Sequence, residues 1–236
     1  IFLNKKKIKL LLIIIIFSIF TFKANSKSED YSDFIEIEME VLKDGKIIGF
    51  SNYKFIYLNN KLMVKNQTKF EVRLAGIKIF SIFSKSSEEY INNSLVSFNS
   101  LTLQNNKKKY VNLKLDKNKS EFIIDGSSYK GKAEISNIIG NWWNKDILKT
   151  DSQISPLSGS VKKQLVTYLG KENITINNTL YVTEKYKLVS KEPNIAENKK
   201  LNFIIWYDRK KSLIVKVSYN RLGNWLYRVK KFSKKN

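Results

Sequence analysis

The feature that most constrains the fold is an alternation of apolar and polar residues that recurs along the chain between short turn signals. Apolar residues occupy every second position from Ile35 to Val41 with glutamates between them, and Asp44-Gly45 follows at once. Such alternation predicts a strand with one buried and one solvated face. Asp-Gly is a strong signal for a two-residue hairpin turn, so consecutive strands are expected to be antiparallel neighbours.

The rest of the chain repeats this pattern of strand and turn. Further strands are predicted at 47–58, 62–72, 77–83, 90–103, 110–115, 122–124, 129–135, 161–169, 174–189, 201–208, 213–219 and 222–232. Several exceed the usual strand length of about 5–6 residues, and long twisted antiparallel strands tend to curl. We therefore predict a mainly β protein, with a single curved antiparallel sheet that forms a barrel or a half-open barrel.

The alternation breaks once, between Gly140 and Leu148, where Trp143, Ile147 and Leu148 have helical spacing. We predict one short helix near residues 141–149, capped by Asn141. No repeat of fixed period and no linker divides the strands that precede this break from those that follow it. The segment 27–236 is therefore interpreted as a single antiparallel β domain.

The first residues have the pattern of a targeting signal. Four lysines between positions 5 and 9 accompany an apolar run at 8–22, and Ala24 and Ser26 are small residues at the −3 and −1 positions of a cut. We predict a signal peptide at 1–26. The run is shorter than the ~20 residues of a membrane-spanning helix, so cleavage is favoured over a retained anchor, which stays the alternative. We expect an exported protein, in the periplasm of a Gram-negative bacterium.

The chain is strongly basic, with 43 Lys and Arg against 21 Asp and Glu and a net charge of +22. Only Arg73, Arg209, Arg221 and Arg228 are arginines, whereas recognition of bases and phosphates favours arginine. Abundant Lys, Ile and Asn together are typical of an A+T-rich genome, so we attribute most of the charge to composition. We expect no nucleic-acid partner. An anionic envelope surface is kept as a possible partner.

The chain contains neither His nor Cys. It therefore has no Ser-His triad, thiol nucleophile, disulfide, or Cys/His site for zinc or haem. No acidic calcium loop or glycine-rich phosphate loop is present, and we expect no cofactor and no metal. Carboxylates remain as possible catalysts, but no spacing selects a pair among Glu89, Glu134, Asp146 and Asp208. We expect no enzyme; a hydrolase would need two of these four in one cleft, about 5–10 Å apart.

Aromatic residues form two clusters. Trp142 and Trp143 are adjacent at the break, and Trp206 and Tyr207 are adjacent in a late strand, just before Asp208. Neighbouring strand residues point to opposite faces, so one of Trp206 and Tyr207 must lie outside the core face of that strand. Packing in the core of a curved sheet is the ordinary role of such rings. As a hypothesis we assign ligand contacts to Trp142, Trp143, Trp206, Tyr207 and Asp208.

Short motifs spread along the chain resemble a known family. They are Gly45-x-x-x-Gly49, Trp143-Asn144, Leu169-Gly170-Lys171-Glu172 and Trp206-Tyr207-Asp208, the last followed by a hairpin. The family consists of uncharacterised, signal-peptide-bearing alphaproteobacterial proteins and is classed only as a domain of unknown function. The chain is also similar in pattern to the curved-sheet lipoprotein carriers of the periplasm, which hold acyl chains in a half-barrel. Because fold does not determine function, this second likeness implies an architecture alone.

Export, long curling strands and 13% aromatic residues favour a non-catalytic binding or carrier protein for a hydrophobic or lipid-like ligand. An envelope structural or interaction protein that packs its sheet on a partner is the alternative, and a carboxylate-based hydrolase is a third. A filled interior, with no cavity above roughly 300 Å³, would exclude the carrier. The oligomeric state is left open.

Overall fold

The computed structural model describes residues 33–235, and the signal peptide predicted at 1–26 lies outside them. The described strands are β1 (Phe34–Lys43), β2 (Lys46–Leu58), β3 (Lys61–Leu74), β4 (Ile77–Ile91), β5 (Ser94–Gln104), β6 (Lys107–Asp116), β7 (Glu121–Gly126), β8 (Lys130–Glu134), β9 (Ile138–Ile139), β10 (Ser152–Ile154), β11 (Val161–Ile176), β12 (Thr179–Ser190), β13 (Asn202–Asp208), β14 (Leu213–Asn220) and β15 (Asn224–Lys234). Among the described residues, Lys145–Leu148 and Glu197–Lys199 form 3-10 helices. Within this part of the chain, no helix is long and apolar enough to cross a membrane.

All of these strands belong to one sheet, in the order β8-β7-β6-β5-β4-β3-β2-β1-β15-β14-β13-β12-β11-β10-β9. Every ladder is antiparallel except the short pairing of β9 with β10. The first and last strands pair at the centre, where Ile37 lies opposite Phe232 and Lys43 opposite Trp225. The edge strands β8 and β9 are not hydrogen-bonded to each other. The predicted mainly β fold, with one curved and half-open antiparallel sheet, is confirmed.

Side chains rather than a backbone ladder cover the seam between the two edges. Phe98, Leu113 and Phe122 from β5, β6 and β7 form one buried cluster with Ile139 of β9 and Ile154 of β10. Irregularities in register bend several long strands, among them those between Val41 and Leu42 and between Tyr168 and Gly170. Such bulges increase the local twist, which is how strands of this length curve around a core.

The hairpin turns fall into two sets, because successive antiparallel strands turn at alternate ends of a sheet. The turns β1–β2, β3–β4, β5–β6 and β14–β15 lie at one end, called here the rim end. The turns β2–β3, β4–β5 and β11–β12 lie at the opposite end. Most of these turns carry Asn or Gly with positive φ, as the two-residue hairpin requires.

Three details of the predicted elements need correction. The short helix is a 3-10 helix at Lys145–Leu148, and its cap is Asn144, whose side chain accepts from the Asp146 N–H at 2.9 Å, instead of Asn141. Strands predicted at 77–83 and 90–103 are in fact β4 and β5, which meet at Asn92–Asn93. Strands predicted at 161–169 and 174–189 are β11 and β12, because Gly170 forms a bulge and the turn lies at Asn177–Asn178.

Gly49 provides a test of how tightly β2 and β3 pack. A Cβ at this position would overlap the carbonyl oxygen of Lys69 and the Cβ of Phe70, which lies directly opposite in the ladder. We expect Gly49→Ala to lower the free energy of unfolding by about 2 kcal/mol or more, since the strands must separate. Gly45→Ala is the matched control, because its Cβ would meet no atom and only the φ of +80° is unfavourable, at about 1 kcal/mol. Equal losses in urea denaturation would contradict the close approach.

Candidate functional site

The curved sheet encloses a cavity of about 580 Å³, lined by the inner faces of β2–β5, the β14–β15 hairpin and the segment that follows β9. This volume lies within the ~300–1,000 Å³ range typical of small-molecule sites. It also exceeds the roughly 300 Å³ below which the carrier hypothesis would have been excluded. The lining changes in character along the cavity, from aromatic near the rim end to polar farther in.

A band of hydroxyl groups crosses the inner face in register. Ser51, Thr68, Ser84 and Thr102 lie opposite one another on β2, β3, β4 and β5. The hydroxyl pairs Ser51–Thr68 and Ser84–Thr102 each have an O···O distance of 2.7 Å. The Asn66 amide donates to Ser51 Oγ at 3.2 Å and accepts from Thr68 Oγ1 at 3.0 Å. We call these five residues the polar band.

Aromatic rings surround the cavity between the polar band and the rim end. Trp225 contacts Phe70 and Phe80 edge-on, with ring centroids 5.6 and 6.4 Å apart. On its other side it stacks on Tyr219 at 5.7 Å with an interplanar angle of 7°. We call these four residues the aromatic collar. They offer a large apolar surface to whatever occupies the cavity.

Glu88 lies deepest in the cavity and is 2% exposed. Its Oε1 accepts from Asn141 Nδ2 at 2.9 Å and from Trp143 Nε1 at 3.0 Å, while its Oε2 accepts from the Tyr90 hydroxyl at 2.6 Å. Burial raises the pKa of Glu88 to about 7, although the three hydrogen bonds act in the opposite direction. The group can therefore gain or lose a proton near neutral pH.

Two of the three donors to Glu88, Asn141 and Trp143, belong to the segment 140–144, called here the floor segment, which closes the deep end of the cavity. Asn141 also accepts from the backbone N–H of Asn144 at 3.1 Å, so the segment forms a compact loop. The backbone N–H of Trp142 donates to the Tyr53 hydroxyl at 3.4 Å. Burial raises the pKa of Tyr53 to about 12, so this hydroxyl stays neutral.

The cavity opens at the rim end. Its lining residues there include Ile79, Leu157 and Leu222, all of which are exposed, whereas Glu88 and Phe98 at the deep end are buried. Lys43 stabilises the opening, because its Nζ donates to the Leu222 carbonyl oxygen at 2.6 Å and to Asp44 Oδ2 at 2.7 Å. The ammonium group also lies 5.5 Å from the centre of the Trp225 ring.

The two tryptophans proposed from the sequence as ligand contacts have different positions. Trp142 lines the cavity, with its ring edge-on to Phe203 at a centroid distance of 5.0 Å. Trp143 is buried behind the cavity wall, where it contacts Phe55 and Tyr90 at 5.3 and 5.7 Å and donates to Glu88. Trp143 therefore holds the floor segment in place and does not line this cavity.

The other three proposed residues lie away from the cavity. Tyr207 is buried in the core cluster of β12–β14. Trp206 points to the opposite face, where the ammonium groups of Lys185 and Lys216 lie 5.1 and 4.1 Å from its ring centre. Asp208 accepts from the Lys211 N–H at 2.9 Å and so stabilises the β13–β14 turn. The ligand-contact role of these residues stays a prediction, and the structure brings only Trp142 into the cavity lining.

Of the carboxylates proposed for a hydrolase, none lines the cavity. Glu89 lies on the outer face of β4 and pairs with Lys61 at 2.8 Å, and Glu134 is exposed on β8. Asp146 belongs to the first 3-10 helix, and Asp208 caps a turn. Residues 33–235 also contain no cluster of three or more acidic groups that could hold a metal ion.

The sequence does not single out Glu88, because the segment 84–89, Ser-Lys-Ser-Ser-Glu-Glu, shows no apolar alternation and falls between the strands predicted at 77–83 and 90–103. In the structure it is the middle of β4. Its inner positions, Ser84, Ser86 and Glu88, line the cavity instead of an apolar core. Their positions in the sequence were the available signal. Residues 82, 84, 86, 88 and 90 share one face of a strand, and Ile82 and Tyr90 at the two ends of this series are both buried.

Comparison with known proteins gives a family and a fold. The profile of the family described as "Domain of unknown function (DUF6134)" matches residues 39–230. The chain is similar to the crystal structure of a beta-barrel-like protein of domain of unknown function DUF1849 from Brucella abortus, with a TM-score of 0.60 and 6% sequence identity, over 87% of this chain and 99% of that chain. At this identity the likeness concerns the fold alone. No curated protein matches the sequence.

Glu88→Gln tests the buried carboxyl group. The folded-state pKa of about 7 lies above the usual 4.5, so the unfolded chain releases this proton first as the pH rises. Glu88 should therefore lower the free energy of unfolding by about 3 kcal/mol between about pH 4.5 and pH 7. Glutamine keeps the geometry, because its Oε1 accepts from Asn141 and Trp143 while its amide donates to the Tyr90 oxygen.

Urea denaturation across this pH range should show a falling stability for the native chain and a flat profile for Glu88→Gln. The ion-paired carboxylates Glu36, Asp125 and Glu172 have lowered pKa values. Their contribution to the free energy of unfolding is lost only at lower pH, so it does not change between pH 4.5 and pH 7. A native chain whose stability is constant from pH 4.5 to 7 would contradict the raised pKa.

Proposed function

We propose that this chain, which belongs to the DUF6134 family, is a non-catalytic binding or carrier protein for a lipid-like ligand. The observation that carries the proposal is the cavity of about 580 Å³ inside the curved sheet, open at one end and closed at the other by the floor segment. A sheet of this length could have filled its interior with side chains. Instead, three consecutive inner positions of β4 carry small or polar groups.

The order of the lining groups favours an amphipathic ligand. Apolar surface of the ligand would lie against Phe70, Phe80 and Trp225 of the aromatic collar. A polar group at the deep end would exchange hydrogen bonds with the polar band, whose hydroxyls both donate and accept. A wholly apolar interior would leave such a group without partners, at a cost of about 1–3 kcal/mol. The ligand class is therefore a molecule with an apolar body and a polar end that can form hydrogen bonds.

The predicted export of the chain also supports a carrier role. The lysines, the apolar run at 8–22 and the small residues Ala24 and Ser26 are typical of a signal peptide, and we propose that the β domain acts in the periplasm of a Gram-negative bacterium. A lipid-like molecule that leaves a membrane for the aqueous periplasm needs a cavity that shields its apolar part.

We propose no catalytic role. Among the described lining residues, Glu88 is the one carboxyl group, and both of its oxygens already accept hydrogen bonds, from Asn141, Trp143 and Tyr90. Acid–base hydrolysis of a glycosidic bond uses two carboxyl groups across the substrate.

A second candidate, an envelope interaction protein, is favoured by apolar side chains on the β11–β12 hairpin. Leu165, Leu169, Leu180 and Val182 are all exposed there. Exposed apolar surface of this kind can mark a protein interface. If this role is the correct one, a paired substitution Leu180→Ser and Val182→Ser should release a bound partner in cross-linking experiments while ligand binding in the cavity is unchanged.

Filling the cavity tests the carrier role. Ser84 points into the cavity, so Ser84→Phe should occupy the space beside the polar band. Ser87→Phe is the matched control, because it makes the same change on the outer face of the same strand. With cis-parinaric acid as a fluorescent probe and native mass spectrometry as the second readout, we expect roughly tenfold or more weaker binding for Ser84→Phe and native affinity for Ser87→Phe. Equal affinities, or no binding by the native chain, would overturn the proposal.

A further inference from the structure

The rim end of the sheet carries exposed apolar side chains on several of its turns. Leu74, Ile77 and Ile79 surround the β3–β4 turn, Ile47 follows the β1–β2 turn, and Leu222 lies in the β14–β15 turn. Ile79 and Leu222 also line the mouth of the cavity. The apolar residues are therefore arranged around an opening, on separate hairpins.

Leu222 is the most unusual of these residues. It is 92% exposed, and its φ of +51° lies in the left-handed region. The other described non-glycine residues with positive φ are aspartate, asparagine, serine or Ala75. A leucine here is unfavourable for the turn and unfavourable in water. Its side chain is exposed to solvent, whereas its carbonyl oxygen accepts a hydrogen bond from Lys43 Nζ.

Basic residues flank the same turns. Lys46, Arg73, Lys78, Lys107, Lys108 and Arg221 are exposed at the rim end. In the segments 43–47, 73–79, 104–108 and 220–224 the one acidic residue is Asp44, and just before the β3–β4 turn Glu71 pairs with Arg73 at 2.6 Å. Asp44 is already engaged by Lys43 at 2.7 Å and by the backbone N–H of Asn224 at 2.7 Å. Lysines are also present at the opposite end of the sheet. The rim end differs because its basic and exposed apolar side chains together surround the mouth of the cavity.

We propose that the rim end docks on an anionic lipid bilayer, with the apolar turn residues in the interface and the basic residues at the phosphates. Each Lys or Arg near an anionic surface contributes about 1 kcal/mol, and apolar side chains add their burial in the interface. The turns are separate protrusions, and the one space that Ile79 and Leu222 share is the cavity mouth itself. A fluid bilayer accepts such protrusions independently, whereas a protein partner would need a matching surface for each of them.

This inference rests on the proposed function, because docking places the mouth of the cavity against the lipid from which a ligand would enter. All the described ladders lie within residues 34–234, so a chain that begins at Lys27 keeps the entire sheet. That chain is the one to test, since it lacks the apolar run at 8–22 and any membrane binding must come from the β domain.

The experiment measures flotation with two kinds of vesicle, equal parts of phosphatidylethanolamine and phosphatidylglycerol, and phosphatidylcholine alone. We expect binding to the anionic vesicles that weakens with salt. The double variant Leu74→Glu, Leu222→Glu should bind at least tenfold more weakly. The matched control is Leu58→Glu, Leu180→Glu at the opposite end, where Leu58 has the same 67% exposure as Leu74. This control should bind like the native chain.

Leu222→Asn separates docking from folding. Asparagine suits the left-handed turn position, so the thermal midpoint should stay the same or rise, while vesicle binding weakens. Failure of the native chain to bind anionic vesicles, equal binding to phosphatidylcholine, or equal losses in the rim and control variants would each overturn the inference.

The outcomes also distinguish docking from the carrier role. If the native chain binds cis-parinaric acid but no vesicle, docking fails and the proposed function stands. If it binds anionic vesicles through the rim but not the fatty acid, the proposed function fails and the rim remains a membrane-binding surface. Ser84→Phe should lose the fatty acid and retain vesicle binding.

Discussion

The closed end of the cavity depends on the hydrogen bonds to Glu88. A carboxyl group inside a sheet is stable only when its oxygens have partners, and here those partners come from two distant parts of the chain, Tyr90 on the same strand and Asn141 and Trp143 in the floor segment. The buried carboxylate of Glu88 on β4 needs hydrogen-bond donors, and the donors from Asn141 and Trp143 tie the floor segment to β4. These hydrogen bonds add to the aromatic contacts of Trp142 and Trp143, which also hold residues 140–144 across the end of the sheet.

The lining of the cavity follows from the same strand. Because Ser84, Ser86 and Glu88 occupy inner positions of β4, no large apolar side chain from the middle of this strand fills the space, and the cavity remains open. Nearer the rim end, Phe70, Phe80 and Trp225 restore an apolar wall. A gradient from dry to polar along one cavity orients an amphipathic molecule, since only one direction of entry pairs its polar end with hydroxyls.

Much of the fold could be predicted from the sequence, because alternation and turn residues such as Asp44-Gly45 are local signals. The pairing of β1 with β15 could not, since nothing local indicates which strands meet across the chain. The prediction failed at 84–89, where β4 is polar on both faces and therefore shows no apolar alternation. It also failed at Gly170, which forms a bulge within β11 instead of a turn between strands. In the candidate site, the interruption of the alternation at 140–148 pointed to Trp142. No comparable signal distinguished Glu88 from the adjacent Glu89, which faces outward.

The pairing of the first strand with the last has a consequence for how the chain reaches its native state. The meander β1–β8 can form from neighbours in sequence, but β1 then remains an open edge until residues 224–234 arrive from the far end of the chain. Contacts of such long sequence separation form late and slowly, and an unpaired edge strand invites association with other chains. The outward glutamates of β1, Glu36 and Glu40, which later pair with Lys231 and Arg228, keep that edge charged in the interval.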